Sequence, residues 1–200
     1  MSQAYLILSQ YMLHFICSNY PILNYLERKI VMFNKLLREN NIVAGILTII
    51  RVYLGWHWLS AGWGKITNGF DAGGFLANAA ANPVAKGDVL VYPTYAKFLE
   101  SFAVPNADLF SVLIPWGEFL VGLGLILGCL TTYAAFFAMV MNFSFLFAGT
   151  ISSNPFDIML AIFIAVSGYN AGKFGLDRFV TPYLSKLINK GKNKEHTITA

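Results

Sequence analysis

RVYLGWHWLSAGWGK, residues 51–65, has an arginine at its head, a lysine at its end, and aromatic, aliphatic and small side chains between them. Extended back to Ile42, the run is long enough to cross the hydrocarbon of a bilayer, which takes about 20 residues of helix at ~1.5 Å each. Polar and apolar residues do not alternate in it, and a lone strand in lipid would leave its backbone unpaired, so the run is expected to be a helix. Composition agrees: at 56% hydrophobic and 12% charged, this 200-residue chain is too apolar for a soluble domain. Three later stretches also have the length and apolarity of spans. The expected fold is therefore all-α, a polytopic membrane four-helix bundle with spans at about 42–63, 109–130, 131–150 and 155–172.

Charge sets the expected orientation. Arg28, Lys29, Lys35 and Arg38 precede the first span, and Lys173, Arg178, Lys186, Lys190, Lys192 and Lys194 follow the last. The long connection between spans one and two balances Lys65, Lys86 and Lys97 against Asp71, Asp88, Glu100 and Asp108. Both termini are then expected in the cytoplasm of a bacterial cell, with that loop outside its cytoplasmic membrane. The net charge of +4 follows from this topology. It forms no basic stripe interleaved with base-stacking aromatics, so nucleic acid is not an expected partner; the lipid bilayer is, with the basic tail (183–200) resting on anionic lipid.

Cys17 and Cys129 form no CxxC pair, and His14, His57 and His196 fall in three separate regions. Neither a redox dithiol, a metal site nor a bound cofactor is expected in the chain itself. No phosphate-binding glycine loop is present. The segment 1–31 is only moderately apolar and lacks the basic start of a signal peptide. Glu27-Arg28-Lys29 can be encoded by a purine-rich run resembling a ribosome-binding site, so translation is expected to begin at Met32, leaving 32–182 as the membrane domain. The intact mass of the native protein decides this.

The functional information lies in polar residues within the spans. Arg51 is nine residues into span one, about 13.5 Å, and Glu118 is nine residues into span two. A lone charge at that depth is unfavourable by roughly 2.5–3.5 kcal/mol, so the two are expected to pair, either to fix helix register or to build a site. On a helical wheel Arg51, Gly55, Trp58, Gly62 and Lys65 share an inward face, with Asn142 of span three within reach of the pair. Gly124 and Gly128 make a small-xxx-small packing step. His57 is expected to point away from the Arg51 face, in an interfacial belt with Trp56, Trp58 and Trp63, with a proton relay as the alternative. In Asn154-Pro155-Phe156-Asp157, Asn154 is the expected N-cap, Pro155 the first helical residue and Asp157 a helix-start acid. Within the outer loop, Tyr95, Phe98, Leu99 and Phe102 recur at i, i+3, i+4 and i+7, predicting a short amphipathic helix before Pro105, and Phe75, Leu76 and Ala79 hint at another. Such a cap over the charged interior would leave an amphipathic cavity.

Arg51, the run GWHWLSAGWGK (55–65), Gly117-Glu118 with LGLILG (123–128), and GKFGLD (172–177) resemble the DoxX/DoxD family over about residues 40–182. The resemblance implies a four-helix membrane protein; DoxD members are the membrane subunit of thiosulfate:quinone oxidoreductase, and DoxX members are linked to quinone or oxidative-stress responses. It carries over to Arg51, Lys65, Glu118 and Asp177. The corresponding expectation is a quinone-interacting oxidoreductase component working with a second redox subunit. Trp58 would stack on the quinone ring, Arg51 would stabilise charge on its oxygen and Glu118 would relay a proton, with Asn142 alongside. Lys65, at the outer mouth, would attract an anionic reductant such as thiosulfate. The alternative is a non-enzymatic membrane partner or small-solute carrier whose buried pair is structural.

Overall fold

The computed structural model describes residues 21–186. Helix α1 (Pro21–Glu39) turns at Asn40 into α2 (Asn41–Asn68). The Asn40 side chain accepts hydrogen bonds from the Ile42 and Val43 amides, satisfying donors that the start of a helix leaves open. A short helix α3 (Ala72–Ala81), a two-stranded antiparallel hairpin β1 (Ala85–Lys86) and β2 (Val89–Leu90), and α4 (Pro93–Phe98) follow, α4 running on into a π turn over Leu99–Ala103. Then come α5 (Ala107–Leu127), α6 (Thr131–Phe147), α7 (Asn154–Ser167) and the single turn α8 (Tyr169–Gly172), with more helix over 177–186.

Helices α2 and α5 are long and apolar enough to cross a membrane, while α6 and α7 are shorter apolar helices. The expected spans thus lie in helices with shifted ends. The first runs on to Asn68, the third stops at Phe147, and the fourth is broken at Gly168. Both outer-loop helices are present, joined by a hairpin that the periodicity did not predict.

The tightest packing is α2 on α5. A Cβ placed on Gly55 would come within 2.9 Å of the Ile126 backbone nitrogen, and one on Gly62 within 2.8 Å of the Pro115 carbonyl oxygen. Glycine therefore lets the two helices cross almost backbone to backbone. Around this seam Leu47, Leu54, Trp58, Leu125, Ala135, Ala138, Ala161 and Ile164 form one core. A second, smaller core joins Leu76, Ala79, Leu99 and Ala103. Tyr95 fastens α4 to α6, its hydroxyl donating to the Ser144 carbonyl at 2.9 Å.

This crossing gives a test with its own control. At Gly122 a Cβ would meet the Leu59 backbone at 2.6 Å or less, whereas at Gly64 nothing lies within 4 Å. Gly122→Ala is expected to destabilise by about 1–3 kcal/mol through overpacking. Gly64→Ala is expected to be neutral or stabilising by up to about 1 kcal/mol, from helix propensity alone. The thermal midpoint of each detergent-solubilised variant measures both, and equal midpoints would contradict the close crossing.

Candidate functional site

Arg51 and Glu118 do not pair: the structure sends them to opposite ends of the α2–α5 crossing. Gly55 lies against Gly122 and Ile126, and Gly62 against Pro115 and Phe119. In that register Arg51 lies level with Gly128, about ten residues or ~15 Å along α5 from Glu118. Two features of the helices explain the correction. Antiparallel helices are entered from opposite faces, so equal counts into each do not mean equal depth. In addition, α2 extends five residues beyond Trp63, which slides α5 further along it.

At one end, Arg51 is 2% exposed. Its Nη1 donates to the Ala171 carbonyl at 3.4 Å, and the Asp177 carboxylate bears on its charge without an ion-pair contact. Asp177 caps α6 from a distant part of the chain, its Oδ1 accepting from the Leu130 amide at 2.6 Å and its Oδ2 from the Thr131 amide at 3.0 Å. The Leu176 and Asp177 amides donate to the Leu127 and Gly128 carbonyls at 3.0 and 2.7 Å. Gly128 ends α5 in the left-handed conformation, φ +63°, where a Cβ would collide with the Arg51 guanidinium. It is a helix cap and no interior step of a GxxxG stripe; Gly124 faces α6, where a Cβ would stand 3.2 Å from that of Ala134. The GKFGLD run thus builds a closed structural node, and the electrostatic role expected of Arg51 at a ligand has no access there.

At the other end α2, α5, α6 and α7 surround a cavity of about 290 Å³. Lys65 Nζ donates to Glu118 Oε1 at 2.5 Å, and the ammonium also lies over the rings of Phe70 and Phe145, 5.4 and 5.9 Å from their centroids. This charge is committed to Glu118, which removes the free cation expected at an outer mouth. His57 Nδ1 stands 2.9 Å from Asp157 Oδ2, which also accepts from Ser153 Oγ at 3.0 Å. Two expectations are corrected here. His57 turns toward the cavity, with its side chain 46% exposed. Asp157 sits near the start of α7, but its carboxylate turns to His57 and is almost wholly buried, while Asn154 lies inside the helix and donates to the Thr150 carbonyl.

Trp58 and Asn142 line the same cavity. Asn142, 1% exposed, bonds to neither Arg51 nor Glu118; its Oδ1 and Nδ2 have no hydrogen-bond partner among the described residues. Trp58 Nε1, Glu118 Oε2 and Asp157 Oδ1 are likewise buried without partners. Such groups are unfavourable unless something satisfies them, and here five such atoms belong to residues lining one cavity. Ser152, on the turn that closes it, holds a left-handed backbone, φ +39°, a strain that non-glycine residues seldom adopt. The wheel drawn from Arg51 turned His57 away, and Ser152 escaped attention in the sequence because a turn carries no periodicity. The described residues hold no metal-binding cluster of His, Cys, Asp or Glu.

Two helices long and apolar enough to cross a membrane, large hydrophobic side chains exposed along them, and ion pairs beside an internal cavity define a membrane-associated helical protein. The chain belongs to the DoxX family, whose model matches residues 46–150. That range takes in Trp58, Lys65, Glu118 and Asn142, while Asp157 and Asp177 lie beyond it. No curated protein and no solved structure matches the chain.

Proposed function

We propose that this is a four-span protein of the cytoplasmic membrane whose cavity receives a quinone head group, as the quinone-interacting component of an oxidoreductase. The observation that carries the proposal is the cavity, with its aromatic walls and unpaired buried polar atoms. A quinone ring needs a flat apolar wall and hydrogen-bonding groups at its two oxygens. Trp58, Phe70, Phe75 and Phe145 supply the wall, and the Trp58 indole N–H and the Asn142 amide supply neutral donors. Reduction takes two electrons and two protons. Glu118, through Lys65, and Asp157, through the half-exposed His57, are placed to exchange those protons. The electrons come from a second redox subunit. Arg38 and Lys173, which donate to the Val166 carbonyl and to the Asn41 side chain, flank the Arg51 end of the bundle, which we place in the cytoplasm, so the cavity opens on the outer side.

The test is extraction. Protein purified in mild detergent from native membranes is expected to yield a quinone in organic solvent, and the emptied protein to bind an added short-chain benzoquinone. Trp58→Leu is expected to weaken that binding about tenfold, the loss of roughly 1.4 kcal/mol of ring contact. Protein that neither carries nor binds quinone would instead favour a non-enzymatic carrier or membrane partner.

A further inference from the structure

We infer that the cavity holds the quinol form of its ligand more tightly than the quinone form, an inference that rests on the quinone proposal above. The two forms differ in what they offer: a quinone presents only carbonyl acceptors, while a quinol presents two O–H donors that can also accept. The cavity's basic side chains are already engaged, Lys65 by Glu118 Oε1 and the Phe70 and Phe145 rings, and His57 Nδ1 by Asp157 Oδ2. What remains unsatisfied among the buried groups is unequal. The donors, Trp58 Nε1 and Asn142 Nδ2, are neutral, whereas two of the three acceptors, Glu118 Oε2 and Asp157 Oδ1, belong to carboxylates. Glu118 and Asp157 are each 2% exposed, so neither carboxylate is surrounded by bulk water, and both line the cavity.

A bound quinone can use the neutral donors but leaves both carboxylate oxygens unpaired. A quinol can donate to them while its oxygens still accept. Hydrogen bonds to an ionised acceptor are roughly twice as strong as neutral ones, and an unpaired buried carboxylate is the costlier omission. The balance favours the reduced ligand by at least about tenfold, a difference of ~1.4 kcal/mol. In the half-reaction, quinone takes up two electrons and two protons and each ring oxygen becomes an O–H. Tighter binding of that product raises the potential of the bound couple, by about 30 mV for each tenfold preference.

The experiment is an anaerobic calorimetric titration of the detergent-solubilised full chain with a short-chain benzoquinone and, separately, with its chemically reduced quinol. The quinol is expected to bind at least about tenfold more tightly. Glu118→Gln and Asp157→Asn, which replace a charged acceptor by a neutral amide, are each expected to bring the ratio toward one. Equal binding, or tighter quinone binding, in the unmodified protein overturns the inference and leaves the quinone proposal standing. Binding of neither form overturns both.

Discussion

Asp177→Ala is expected to be among the most destabilising single substitutions in the chain, although Asp177 touches no part of the cavity. Its carboxylate does two things. It accepts from the Leu130 and Thr131 amides, and losing such a cap typically costs about 1 kcal/mol and up to about 2. It also bears electrostatically on the buried Arg51 without an ion-pair contact to it, and the hydrogen bond of Arg51 is the long one to Ala171. Removing a carboxylate that partly compensates a buried charge carries its own cost, less than the roughly 3–5 kcal/mol of breaking a contact pair. The two losses overlap and are not additive, but either alone should lower the thermal midpoint by several degrees. Asp177→Asn keeps an acceptor and should fall between. Adding Arg51→Met to Asp177→Asn should restore part of the loss, since the unpaired charge goes with it. Quinone binding per folded molecule should be unchanged in Asp177→Asn, because the node and the cavity lie at opposite ends of α2. A midpoint for Asp177→Ala within about 2 °C of the parent would contradict the cap.

The helical class and the two long apolar helices α2 and α5 were legible in the sequence because apolar length is a coarse signal that survives errors of several residues. The inward face of α2 was legible for a similar reason: a wheel needs only local geometry, and Arg51, Gly55, Trp58 and Gly62 are indeed buried together. Pairing between helices was not legible. It depends on the register of one helix against another, and that is set by where Gly55, Gly62 and Gly122 permit contact, which no count within one span reveals. A shift of about ten residues along α5 exchanged the partner of Glu118 from Arg51 to Lys65 and moved the polar centre from the middle of α2 toward its far end. His57 and Asp157 were misjudged because each had a sufficient local explanation, an aromatic belt and a helix start, and nothing local shows that the two meet. Trp58, Lys65, Glu118 and Asn142 line one cavity, from which Arg51, expected beside them, is missing.

The Lys65–Glu118 pair gives the second large effect, and it is asymmetric. Glu118 is 2% exposed and Lys65 30% exposed in their side chains. Lys65→Met therefore strands a carboxylate that cannot reach water, and a loss of about 3–5 kcal/mol is expected. Glu118→Gln leaves a cation on a flexible stem that can turn its head toward solvent, so the loss should be smaller, about 1 kcal/mol. Lys65→Met with Glu118→Gln removes both charges and keeps the volumes, and replacing a whole buried pair is often close to neutral. Its midpoint should return toward the parent. Ligand binding should not follow. If Glu118 supplies an acceptor to a quinol hydroxyl, the double variant folds but stays impaired in quinol binding, in proportion to Glu118→Gln alone. Thermal midpoints and quinol titrations on the same three preparations separate the roles. Recovery of both in the double variant would make the pair a device for helix register, and recovery of stability alone marks it as part of the site.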